Sequence, residues 1–94
     1  MSIVEVEGRL ICESDEEVEA VLRHLPRHIE LTRAEPGCFR FDVEQAADPY
    51  VWTVFEKFVS RAAFERQQAR VGASGWGRAT AGIKRDYVIS YGDR

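Results

Sequence analysis

Apolar and polar residues alternate at both ends of this chain and at its centre, and recur at helical spacing in between. Over roughly residues 3 to 13, Val4, Val6, Leu10 and Cys12 share one parity, the period of a strand with one buried face. Gly8 falls inside this run, where a glycine marks a bulge or a close approach by another backbone. Ser14-Asp15-Glu16-Glu17 then reads as a capping box, its acids suited to the positive end of a helix dipole. Val18, Val21, Leu22, Leu25 and Ile29 follow as one apolar stripe of a helix. Pro26 lacks an N–H and clashes with the preceding turn, which predicts a kink or break after Leu25 and a second piece running to about Arg33.

Glu35-Pro36-Gly37-Cys38 ends that helix and starts a second strand, Cys38 to about Gln45. Pro36 cannot continue a helix, and Gly37 takes a positive φ at little cost. Phe39, Phe41 and Val43 alternate with Arg40, Asp42 and Glu44. Ala46-Ala47-Asp48-Pro49 is a hairpin turn into a third strand, Tyr50 to Val59. Trp52, Val54 and Phe58 lie on one of its faces, and Val51, Phe55 and Val59 on the other. Apolar residues on both faces imply cover on both sides. Helices supply one cover, and a second subunit is the simplest source of the other. Ser60 caps the next helix, which turns Ala63 and Phe64 inward and ends at Gly72. Ser74 starts a short further turn carrying Trp76, and a last strand runs from Lys84 to about Tyr91. The order β-α-β-β-α-β is the ferredoxin-like α+β arrangement, an antiparallel sheet with helices on one face. Face-to-face pairing of two such sheets as a homodimer covers the remaining surface.

The 94 residues suit one domain spanning 1–94. The formal charge of −3 and the scattered lysines and arginines argue against a nucleic-acid partner. No stretch is apolar for the ~20 residues a bilayer demands, and the start does not read as a signal peptide. Cys12 and Cys38 read as reduced thiols of a cytoplasmic protein, with a disulfide between them left open. Cysteine and histidine spacing does not suggest zinc. His24 and His28 stand one helical turn apart, the spacing of a two-histidine metal half-site. No glutamate motif accompanies them, so they read as a solvated face and no metal site is expected.

Thr32, Glu35-Pro36-Gly37-Cys38, Phe41, Asp48-Pro49, Phe55-Glu56, Ser60 and Ala63-Phe64-Glu65 together resemble the antibiotic biosynthesis monooxygenase family, which includes quinol monooxygenases. The likeness spans nearly the whole domain and is densest from Thr32 to Glu65. It implies a dimeric α+β barrel and an oxygenase that needs no cofactor and inserts dioxygen into quinols or polycyclic phenols. Where many relatives carry histidine after the Ala-Phe word, this chain has Gln67, and no histidine follows His28. Where many carry tryptophan two residues after the strand glutamate, it has Phe58. Both departures point away from the haem-degrading branch.

Such chemistry asks for an apolar cavity with a few polar groups to hold a flat aromatic substrate and stabilise an oxyanion. Gln67 is the candidate orienting amide, with a solvated helix position as the plain alternative. Trp52 suits either a cavity wall or the core, and Tyr87 either a buried hydroxyl donor or a packing residue. These three are the candidate catalytic residues. Phe64, Trp76 and Arg40 are the candidate substrate-binding residues. Trp76 lies between glycines and reads as a lid or a plug. Arg40 suits an oxyanion contact or a surface ion pair with Glu56 or Glu44. A non-catalytic dimeric domain that binds a small ligand is the alternative function.

Overall fold

The computed structural model describes residues 2–93. The elements in order are β1 (Ser2–Ile11), α1 (Asp15–Arg33), β2 (Cys38–Gln45), β3 (Val51–Phe58), α2 (Arg61–Gly72), α3 (Gly75–Ala79) and β4 (Lys84–Asp93). The four strands form one antiparallel sheet in the order β2-β3-β1-β4. This is the ferredoxin-like arrangement, with the helices on one face and α3 added between α2 and β4.

Local chemistry explains the boundaries. The Ser14 hydroxyl accepts from the Glu17 N–H at 3.1 Å, and the Glu17 carboxylate accepts from the Glu13 N–H at 2.7 Å, satisfying donors at the open end of α1. The Ser60 and Ser74 hydroxyls cap α2 and α3, accepting from the Ala63 and Gly77 N–H groups. At the junction into β2, Gly37 adopts φ +89°, a conformation that L side chains rarely take.

The expected break at Pro26 does not occur, because α1 is one helix of 19 residues with Pro26 inside it. Val21, Leu25, His28 and Thr32 are buried on either side of the proline, so packing holds both halves in line. Pro26 itself is exposed. Lacking an N–H, it leaves the Leu22 carbonyl without its helical hydrogen bond on the solvent side.

Register sets the two faces of the sheet. Val4, Val6 and Leu10 stand opposite Phe58, Glu56 and Trp52 on β3, and opposite Tyr91, Ile89 and Arg85 on β4. All of these face the helices. One core cluster gathers Leu10, Cys12, Trp52, Val54 and Ile83 beneath Val21, Leu25 and Trp76. A second gathers Val4, Val6 and Phe58 beneath Ala63 and Phe64 of α2. The outer face is less apolar than the pattern of β3 implied. Val51 and Phe55 are half-buried there among the pairs Glu5–Lys57, Arg9–Asp86 and Arg40–Asp42. Val59 lies past the end of β3 and packs on the helix side instead.

Gly8 marks a close approach. A Cβ there would lie 2.1 Å from the Asp86 carbonyl oxygen and 2.8 Å from the Tyr87 Cα. The lack of a side chain therefore decides how near β4 comes to β1, and where Tyr87 starts. Gly8→Ala forces backbone to move and is expected to destabilise the fold by about 1–3 kcal/mol, read as a lower urea midpoint with an unchanged slope.

Candidate active site

The two core clusters do not meet over the middle of the sheet. Between them lies a cavity of about 140 Å³. Its floor is Val6, Val54 and Ile89, its roof Phe64, Val71 and Trp76, and Phe41 closes one side. Into this apolar space project Glu56, His28, Gln67, Tyr87 and Arg85.

Each polar group is placed by its element. Glu56 shares the parity of Trp52, Val54 and Phe58, so it is carried inward with them. It is 7% exposed, and its Oε1 has no hydrogen-bond partner. Burial raises its pKa to about 7, against the opposing pull of the Arg85 guanidinium. Gln67 is one turn beyond Phe64 on α2 and is 2% exposed. Its Oε1 accepts from Gln68 Nε2 at 2.7 Å. Tyr87 is raised to about 12, chiefly by burial, so its hydroxyl stays protonated. Arg85 reaches back over the turn before β4 and donates to the Thr80 carbonyl at 2.6 Å and the Ile83 carbonyl at 3.1 Å.

His28 lies seven residues after Val21 and faces inward. Its ring stacks on Trp76 at 4.5 Å with the planes 3° apart, and meets Phe41 edge-on at 5.1 Å. Burial, and then the charges of Arg70 and Arg85, lower its pKa to about 4, so it is a neutral imidazole with an unpartnered Nδ1. Arg70 is held by the Glu35 carboxylate at 2.7 Å and by Thr32 Oγ1 at 3.0 Å. The turn residue Glu35 thus ties α2 to the end of α1. Among the described residues no three histidine, cysteine, aspartate or glutamate side chains converge to hold a metal ion.

The family model for antibiotic biosynthesis monooxygenases matches residues 8–71. The chain belongs to this family. Solved structures show the same fold. A protein from Nitrosomonas europaea described as a putative antibiotic biosynthesis monooxygenase superimposes with a TM-score of 0.80 at 23% identity, covering 96% of this chain and 89% of that one. Rv0793 from Mycobacterium tuberculosis gives 0.71 at 26% identity, with 99% and 95% covered. SO0527 from Shewanella oneidensis gives 0.65 at 25%, with 96% and 87% covered. Curated proteins give no match.

In this antibiotic biosynthesis monooxygenase domain, Gln67, Tyr87, Phe64 and Trp76 line one cavity. Gln67 is buried rather than solvated. Trp76 plugs the core as it lines the cavity. Trp52 is 2% exposed within the core cluster and is not part of the cavity lining. Arg40 lies on the outer face, paired with Asp42 at 2.6 Å and stacked over Phe55 at 4.7 Å. Its partner is neither Glu56 nor Glu44. His28 is buried, against the expectation of a solvated face. Glu56, His28 and Arg85 are the site residues that sequence reasoning passed over. Their signal was a polar residue at a position whose spacing demands an apolar one.

The carboxyl of Glu56 has a higher pKa folded than unfolded. Its contribution to stability is therefore fully present below about pH 4.5, and is lost as pH rises through about 7. Glu56→Gln is expected to remove this loss, an effect of up to about 3 kcal/mol. Denaturant unfolding of the two proteins at pH 5 and pH 8 checks it. Parallel changes in both would refute the assignment.

Proposed function

We propose that the chain is a monooxygenase of quinols or electron-rich phenols that works without metal, flavin or haem, as a homodimer in the cytoplasm. The observation that carries this reading is the buried, unpartnered carboxyl of Glu56 at the wall of an apolar, aromatic cavity. An electron-rich ring supplies its own reducing equivalents once a hydroxyl is deprotonated. The protein then has to accept a proton, hold the ring and exclude water.

Glu56 is the base, since a pKa of about 7 leaves it part-ionised at neutral pH and strong enough to pull a phenolic proton. Gln67 stands where relatives often have histidine and cannot serve as a base, so its amide orients the substrate oxygen. Arg85 offsets negative charge on the phenolate, and the Tyr87 hydroxyl donates to it. Dioxygen takes electrons from the phenolate, and a C–O bond forms at a ring carbon that loses its hydrogen. Cleavage of the O–O bond leaves one oxygen on that ring carbon, giving a hydroxyquinone from a quinol or a quinone from a phenol, and releases the other with two substrate hydrogens as water. The substrate supplies every electron.

The dimer reading is supported by Val51, Phe55 and Val88 on the outer face, Val88 being 66% exposed. The free thiols of Cys12 and Cys38 fit a reducing compartment.

Oxygen uptake by metal-stripped protein, with a panel of one-ring and larger quinols under ¹⁸O₂, tests the activity. One labelled oxygen in the product and one in water are expected. Glu56→Gln should lower kcat/KM by about 10²–10⁴ and abolish its rise with pH around neutrality. Inertness across the panel would leave a non-catalytic small-ligand domain. Sedimentation should give twice the chain mass, with Val88→Glu shifting it to a single subunit.

A further inference from the structure

The unpartnered polar groups of the cavity describe what it holds. Glu56 Oε1 is buried without a donor. Gln67 uses its carbonyl oxygen on Gln68, and its Nε2 has no acceptor among the described residues. The Tyr87 hydroxyl also has no partner among the described residues, and burial keeps it protonated. A buried acceptor left open is costly unless something enters to meet it, and the amide and the phenol stand beside it as donors without a protein partner among the described residues. The rest of the lining is largely aromatic and aliphatic, with His28, Gln68 and Arg85 among it. A ligand that satisfies the site is apolar over its faces, gives a hydrogen to the carboxylate and offers an acceptor oxygen to the amide and phenol.

Size narrows the class further. A cavity of about 140 Å³ is close to the ~150 Å³ that accommodates a single benzene ring elsewhere, and well short of the ~300 Å³ at which sites for larger ligands begin. Phe64 is wedged on Phe58 at 5.5 Å, and Trp76 is pinned in its stack on His28.

Resting on the proposed reading of this site as a phenol-binding cavity, we infer that its ligand is a single-ring aromatic bearing two oxygen substituents, one of them a free hydroxyl bound to Glu56. This places the substrate at the small end of the range that the family likeness admitted. Glu56 and Gln67 set the demand for oxygen, and Phe64 and Val71 set the limit on ring number.

Calorimetric titration without oxygen separates binding from turnover. The probes are hydroquinone, 1,4-dimethoxybenzene and 1,4-dihydroxynaphthalene. Hydroquinone is expected to bind at least about tenfold more tightly than either of the others, because a site built around a hydroxyl rejects the ligand that lacks it. Glu56→Leu, which suits the apolar surroundings, should abolish the preference over the dimethyl ether. Phe64→Ala should admit the two-ring diol, and Val71→Ala serves the same purpose if the larger truncation does not fold. Equal binding of the dimethyl ether or of the two-ring diol by the unaltered protein would overturn the inference. Hydroquinone binding without oxygen consumption in air would uphold it while refuting the monooxygenase reading. Oxygen consumption with two-ring quinols alone would do the reverse.

Discussion

Strand β3 can bury Trp52, Val54 and Phe58 only by carrying Glu56 to the same side. The side-chain period of a strand is two, and slipping the register by one residue would turn the whole apolar set to water. The gain from burying two aromatics and a valine therefore holds a carboxylate in a place it would not choose alone. It sits between Phe41 on β2 and Val6 on β1, with neither neighbour able to donate a hydrogen bond. The proton-binding character of the cavity is the direct product of this constraint.

Electrostatics within the cavity follow from how little of the sheet's helix side is filled. The clusters beneath α1 and beneath α2 leave a gap in which Glu56 and His28 are buried with an unpartnered polar atom each. Two opposite shifts result. Glu56 is pushed towards its neutral acid and His28 towards its neutral imidazole, because burial penalises whichever form is charged. The Arg85 guanidinium is held beside them by carbonyls of the turn before β4. It lies near enough to lower the pKa of Glu56, His28 and Tyr87 alike.

Much of the family's characteristic wording serves architecture rather than chemistry. Glu35 and Thr32 grip Arg70 of α2, Gly37 turns the chain into β2, and Ser60 caps α2. These contacts seat Phe64 and Gln67 over the sheet. The family match ends at residue 71, whereas Trp76, Arg85 and Tyr87 come from α3 and β4 beyond it. The scaffold and the chemistry of the cavity are thus partly written in different stretches of the chain.

Element order, helix caps, strand parity and the junction at residues 35–38 were legible in the sequence, because each is a local periodicity or a local steric rule. The inward side of Phe64 was legible for the same reason, and that of Glu56 and His28 was available from the same spacing, whereas Gln67 was left open between a site amide and a solvated position. Folding alone decided that Pro26 stays inside a continuous helix, that Trp52 fills the core and that Arg40 faces outward. It alone decided that Glu56, Gln67, Tyr87 and Arg85 converge on one space. A cavity is the volume that packing leaves over. Its size and chemistry depend on how far two helices stand from a sheet, a distance that residues remote in sequence set together.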